Sequence, residues 1–311
     1  MSLAQTTVVQ RVRDLLGEQA WRTQYSGSTT TTTDTSYDMP DGTRWEEGAI
    51  MEWQDGGAQD WVSSVATNTV SIYQGINGTT AVAHAANTQI LKDPRFTYQR
   101  IVDAAALTMQ SLFPVVYKTV SATITPNTTS TWYDLGATDY LGLIRATQQD
   151  TNSTSPDVIF YGAHGSRMSI AVATVPTAVA ASGFGVRFPN GVSNVTNAIN
   201  LTYAAKVTAT LDTTSNYSDL SDGILAEVVV WGTAARLALS TDLQRTNDED
   251  NNMGDSSVQS GSRARVARDI QRTFLDLKAQ YGEELIRTSP IASVGMSAII
   301  TSPAFATRTF N

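Results

Sequence analysis

The sequence predicts an α+β fold in which a helical hub carries a small N-terminal β-barrel and an inserted β-sandwich or jelly-roll-like domain. Three observations predict it. Apolar residues recur at helical spacing near the start of the chain and again over 222–287. Between those segments, residues 44–91 and 119–211 alternate apolar and polar side chains in short runs broken by turn signals. The charged share is 16% of 311 residues, below the typical quarter. Thr, Ser, Asn and Gly fill the difference, a composition of β-rich chains with polar loops.

Each element has its own justification. Val8, Val9, Val12, Leu15 and Leu16 mark a helix over 6–20, with Arg11, Arg13 and Asp14 outside and Thr6 or Thr7 as the N-cap. Residues 26–34 read as a polar, low-complexity linker. Strand candidates follow at 49–53, 61–65 and 69–73, with Asn77-Gly78 as a tight-turn dipeptide. Trp45, Trp53, Trp61 and Tyr73 are expected to fill much of the barrel core. Asp93-Pro94 opens a second helix, buried through Ile101, Ala105, Leu107, Met109, Leu112 and Phe113, which Pro114 stops or kinks. Six to eight short strands are expected over 119–211, among them the alternations Val120/Ala122/Ile124, Met168/Ile170/Val172 and Val207/Ala209/Leu211.

An apolar run over 222–231 then leads into Gly232-Thr-Ala-Ala-Arg-Leu-Ala-Leu239, a polar acidic spacer, and an amphipathic helix from Ser262 to Arg287. Val266, Ile270, Phe274, Leu277, Tyr281 and Leu285 form its stripe. The expected organisation is a hub from 1–22, 93–118 and 219–290, a barrel over 40–92, a sandwich over 119–218 and an extended arm over 291–311. Val229, Trp231, Leu237, Val266, Ile270, Phe274 and Leu277 are the expected hub packing.

Little in the chain points to chemistry. It has no cysteine, which removes disulfides, thiolate metal sites and Cys nucleophiles. His84 and His164 are the two histidines and fall in no metal-ligand spacing. Gly162-Ala-His-Gly-Ser166 is not a nucleophile elbow and reads as a β-turn. Gly183-Phe-Gly185 lacks the third glycine of a dinucleotide fingerprint. Carboxylates are paired at Glu46-Glu47 and Asp248-Glu-Asp250, and Trp45, Trp53 and Trp61 could line a sugar platform. Residues 246–252 lack the Gly and final Glu of a calcium loop and read as a solvated acidic loop. A net charge of −8 argues against a protein that grips phosphates. The expectation is no enzyme, no cofactor and no metal. The N-terminus shows no signal-peptide pattern, and no apolar run is long enough to span a membrane.

Three features resemble the head-to-tail adaptor (connector) family of tailed bacteriophages, in particular of actinobacterial siphophages. The first is Val229-Val-Trp-Gly-Thr-Ala-Ala-Arg236, followed by Leu237-Ala-Leu-Ser240 and Asp242-Leu-Gln-Arg245. The second is Tyr73-Gln-Gly-Ile-Asn-Gly-Thr-Thr80 with Ala83-His-Ala85 and Asp93-Pro-Arg-Phe96. The third is the order helix, barrel, helix, β-insertion, two helices and apolar tail. Residues 119–211 are longer and richer in Thr and Asn than a minimal adaptor insertion.

The resemblance implies a virion protein made in the host cytoplasm and placed at the phage neck. It would form a homo-oligomeric ring, of twelve subunits, below the portal protein. Such a ring extends the DNA channel, lets the genome pass without sequence-specific binding, and gives the stopper or tail-completion protein a platform. On that reading Arg263, Arg265, Arg268 and Arg272, with Ile299, Ile300, Phe305 and Phe310 of the tail, form the portal and subunit interfaces. Asp248, Glu249 and Asp250 belong to an acidic loop facing the channel. The arginines fit inter-subunit pairing better than phosphate contact, because the chain is acidic overall. The alternative is a carbohydrate- or receptor-binding virion decoration or tail protein that uses the β-sandwich.

Overall fold

The computed structural model describes residues 2–17, 20–137, 139–149, 156–159, 170–188, 196–221, 223–249, 260–289 and 291. The chain divides into two compact units. The first comprises Met1–Ser111 and Thr208–Lys278, the second Leu112–Val207 and Ala279–Asn311.

In the first unit, β1 (Ser2–Ala4) leads directly into α1 (Gln5–Leu15). A six-stranded antiparallel sheet follows, built from β2 (Arg22–Gln24), β3 (Ser36–Asp38), β4 (Ile50–Trp53), β5 (Gln59–Ala66), β6 (Thr69–Gln74) and β7 (Gln89–Lys92). Its order is β2-β7-β4-β5-β6-β3. The sheet curls into a half-barrel, and Tyr25 beside β2 meets Tyr37 of β3 edge-on at 5.7 Å. Period-2 alternation sends Met51, Trp53, Val62, Val70, Ile72 and Ile90 to the inner face, where they form one buried core with Trp45 and Met39.

The segment expected as a linker belongs to this unit. Thr30 is buried, and its N–H donates to the His84 carbonyl at 2.8 Å. Pairing of β3 with β6 extends the sheet well before residue 40, and in place of the small β-barrel expected over 40–92 the sheet is a curled half-barrel that includes β2. Trp61 and Tyr73, expected in the core, face outward. They sit opposite each other in register on β5 and β6, one residue out of phase with the inward Val62 and Ile72.

The remaining elements of the first unit are α2 (Tyr98–Leu112, to Ser111), β15 (Asn216–Ser221), α3 (Ile224–Glu249) and α4 (Ser260–Thr288, to Lys278). Strand β15 pairs antiparallel with β1, carrying the chain ahead of α3 back to the N-terminus. The turn before it is tied by Asp212, which accepts from the N–H groups of Thr214 and Asn216 at 2.8 and 3.0 Å. Helix α1 packs against α3, and Arg11 on α1 pairs with Glu227 on α3 at 3.0 Å.

The helical hub is overturned. Among the described residues, four helices accompany fifteen strands in four sheets, and the helices are not a central hub. Arg13 supplies a physical reason. The helical pattern places it outside, yet it is fully buried and reaches Glu52 of β4. Helix α1 therefore sends Arg13 into the half-barrel besides packing on α3, so it is not confined to a helix bundle.

In the second unit, β8 (Lys118–Ile124), β10 (Tyr140–Gln149), β11 (Pro156–Ile159) and β14 (Ile199–Ala205) form an antiparallel sheet in the order β11-β10-β14-β8. Strands β9 (Tyr133–Asp134), β12 (Ala171–Thr174) and β13 (Phe184–Arg187) form a second, in the order β12-β13-β9. Leu143, Leu201 and Ile124 of the first sheet share a core with Val186 of the second and with Ile170 and Phe188 beside it. Gly142 lies at a register shift in β10, and Ile291 fills the place of its missing side chain, since a Cβ there would stand 2.5 Å from Ile291 Cγ2.

Candidate functional site

The predicted arginines sit on α4, so the packing of that helix decides what they can do. Gly232 of α3 lies between two neighbours, and a Cβ there would stand 2.6 Å from both Phe274 Cε2 of α4 and Thr108 Cγ2 of α2. The missing side chain lets three helices approach closely. Thr233, Ala234 and Ala235 beside it are buried, and Thr233 Oγ1 donates to the Val229 carbonyl at 2.7 Å. The small residues of the Gly232–Arg236 motif are thus explained by helix packing. Of the expected hub residues, Val229, Leu237 and Ile270 are buried, Trp231, Phe274 and Leu277 are half-buried, and Val266 is 54% exposed.

With Ala267, Ile270 and Phe274 turned inward, the helical period turns Arg265, Arg268 and Arg272 outward, and all three are exposed. Arg272 Nε stands 4.0 Å from Asp276 Oδ2, one turn on. Leu275 shares this outward side at 53% exposure. Arg263 lies on the same helix. Asp248 and Glu249 are the last residues of α3, and Asp250 lies outside the described residues, as do Ile299, Ile300, Phe305 and Phe310. The Gly162–Ser166 segment, with His164, also lies outside them.

Sequence reasoning missed a buried polar network in the first unit. The Arg13 and Glu52 side chains are both at 0% exposure and hydrogen-bonded to each other. Arg13 also donates to Gln54 Oε1 at 2.8 Å and to the Phe96 carbonyl from Nη2 at 2.8 Å. Glu52 Oε2 accepts from Gln59 Nε2 and the Tyr98 N–H, each at 2.9 Å. Both Glu52 oxygens and all three Arg13 guanidinium nitrogens are engaged, as a buried ion pair requires, while Gln54 Nε2 is buried without a partner among the described residues. The network ties α1, the half-barrel and the start of α2 together.

A second cluster surrounds Trp53. The His84 ring stacks on it at 4.0 Å, and His84 Nδ1 lies 2.9 Å from both carboxylate oxygens of Asp55. Trp53 Nε1 and Tyr37 Oη donate to Asp60 Oδ2 at 2.8 and 3.3 Å, and the Gly75 N–H donates to Oδ1 at 3.2 Å. Burial pushes the Asp60 carboxyl above its ordinary range, and the bond from Trp53 only partly offsets it. These groups are spent on one another, as a structural core requires. Glu46 of the Glu46-Glu47 pair accepts from Lys92 Nζ at 2.7 Å, and that bond lowers its pKa.

Of the three tryptophans that could line a sugar platform, Trp45 and Trp53 are buried and Trp61 is exposed. Gly183 stands in a turn with φ +80°, and Gly185 in β13 lies against Trp132 and Val175, where a dinucleotide fingerprint would need a loop entering a helix. Among the described residues, no cluster of three or more His, Asp and Glu is placed to hold a metal ion, and no helix is long and apolar enough to cross a membrane.

No protein-family model matches the chain, and no curated protein matches it.

Proposed function

We propose that this chain is a virion structural protein, a head-to-tail adaptor that assembles as a ring below the portal of a tailed phage. The observation that carries the reading is the outward side of α4, where exposed Arg265, Arg268 and Arg272 lie beside exposed Leu275. Arginine beside apolar side chains is the composition of protein interfaces, where a guanidinium supplies directed bonds and the neighbouring carbon excludes water. A closed ring needs two different complementary surfaces on each subunit. Arg265 and Arg268, with Arg272 beside Asp276 and with Asp269 also exposed, give this side both signs of charge, suited to meet carboxylates and cations of the next copy.

The resemblance of residues 229–245 and 73–96 to the adaptor family names the ring and its neighbours, the portal protein on one side and the stopper or tail-completion protein on the other. In this reading genomic DNA passes through the lumen without sequence-specific contact, and the acidic balance of the chain keeps it from sticking.

The test is assembly. Purified protein mixed with its portal is expected to give rings in negative-stain images. The triple variant R265E/R268E/R272E is expected to keep its fold and Tm while losing the rings. Failure of the wild-type protein to associate with portal, or rings unaffected by the triple charge reversal, would overturn the proposal.

A further inference from the structure

The outer face of the half-barrel carries a patch that the packing does not use and to which the adaptor reading assigns no role. Trp61 of β5 and Tyr73 of β6 are a cross-strand pair, stacked with ring centroids 5.6 Å apart and planes 15° from parallel. They are 36% and 61% exposed. Pairs of this kind bury themselves when the fold can arrange it. Here two large rings stack on one another on the solvent side of the sheet, beside the register shift at Val62/Ser64, and Tyr73 is the more exposed of the two.

The pair has polar surroundings of one kind. Ser71, two residues before Tyr73, stands opposite Ser64 on β5 and Ser36 on β3, so three serines form a row across the sheet. Strand geometry sets the row about 7 Å from the aromatic pair, with its members about 5 Å apart. Among the described residues, neither Trp61 Nε1, nor Tyr73 Oη, nor any of the three serine hydroxyls has a hydrogen-bond partner. The charges around the patch are acidic or buried, and exposed Glu47 adjoins Gly48, where a Cβ would stand 3.9 Å from Trp61 Nε1. On this face Glu52 is fully buried beneath Arg13, and Asp38 at the far edge accepts from Thr69 Oγ1 at 2.8 Å.

We propose that this face binds a neutral carbohydrate. A pyranose presents a flat C–H face and a rim of hydroxyls. The Trp61–Tyr73 pair covers the first, and the serine row with the Trp61 N–H and Tyr73 hydroxyl answers the second. The chemistry disfavours other occupants. Nucleic acid also stacks on aromatics but needs a basic groove, and the charges bordering this patch, Glu47 and Asp38, are acidic. A second copy would need roughly 1,200 Å² of buried surface, far more than one aromatic pair and three serines provide. A flat, open site holds its ligand weakly, with a Kd on the order of 0.1–10 mM. The inference does not rest on the adaptor reading.

The test follows the Trp61 indole N–H by ¹H–¹⁵N NMR, assigned with W61F, during titration with maltotriose, cellotriose and chitotriose to about 10 mM. Saturable movement of the Trp61 signal with at least one sugar is expected. Y73A, read on the same signal, and W61A, read on the backbone amides of β5 and β6, should each weaken that binding at least about tenfold, the scale of losing an aromatic anchor, while leaving Tm unchanged. S71A should weaken it by a smaller factor. No movement with any of the three sugars overturns the proposal, as does binding that survives both aromatic truncations. Concentration-dependent self-association of the wild type that W61A abolishes would assign the patch to a second copy instead.

Discussion

Replacing Arg13 with Met keeps the volume and helix propensity of the side chain and removes its charge. The consequence follows from what remains. Glu52, at 0% exposure, would keep two donors, Gln59 Nε2 and the Tyr98 N–H, but lose its cation. The Phe96 carbonyl and Gln54 Oε1 would lose donors at 2.8 Å. Breaking a buried ion pair from one side costs about 3–5 kcal/mol, because an uncompensated charge stays in a low-dielectric site. R13M should therefore lose about 3–5 kcal/mol in urea denaturation, and E52Q a similar amount. Solvent screening offers no relief at a site this buried. The double variant R13M/E52Q should lose less than the sum of the two, by about 2 kcal/mol or more, since neither charge is then stranded. A loss below about 1 kcal/mol for R13M, the scale of an exposed pair, would refute the docking of α1 on the half-barrel.

Three further outcomes are expected. Gly232→Val should destabilise by about 1–3 kcal/mol in urea denaturation, because its branches enter space held by Phe274 and Thr108; a stability equal to wild type would contradict the close approach. Burial raises the folded-state pKa of Asp60, so its contribution to stability is full below the ordinary carboxyl value of 3.8 and is lost as pH rises through the raised value. A stability–pH profile of D60N should therefore decline less than wild type over that window, and parallel profiles would contradict this. Asp212 has its pKa lowered by bonds from Asn216 and Thr214, so D212A should speed amide exchange at both residues, and unchanged protection would count against the tied turn.

Local periodicity was legible in the chain, and long-range partnership was not. The helix read from 262 to 287 spans Ser260–Thr288, because an apolar stripe with a 3.6-residue period needs no knowledge of its partner. Its rotation was less legible. Val266 belongs to the stripe, yet Ala267 is the buried residue and Val266 is exposed, a difference of one position, or 100°. Arg13 shows the deeper limit. A charge within a helical pattern reads as solvated, and only Glu52, 39 residues away, makes its burial tolerable. The Thr-rich segment misled for the opposite reason. Its composition suits a linker, but one buried Thr30 and the pairing of β3 with β6 draw it into the half-barrel.

Trp61 and Tyr73 could have been told from the core by phase alone. They alternate with Val62 and Ile72, and the face that holds those two must be the inner one. The arginines of α4 were legible as a cluster and as a flank of the helix. Their outward side depends on Gly232, Phe274 and Thr108, three helices meeting at a glycine whose purpose the sequence does not disclose.

In the proposed ring the outward face of α4 is covered by other protein. Mass-resolved cross-linking of that assembly, with single cysteines introduced at 265, 268 and 272, tests it most directly. Inter-subunit cross-links are expected from these positions in the portal-bound assembly and none in free monomer. Cysteines that remain fully reactive to a water-soluble maleimide in the assembled particle would contradict it.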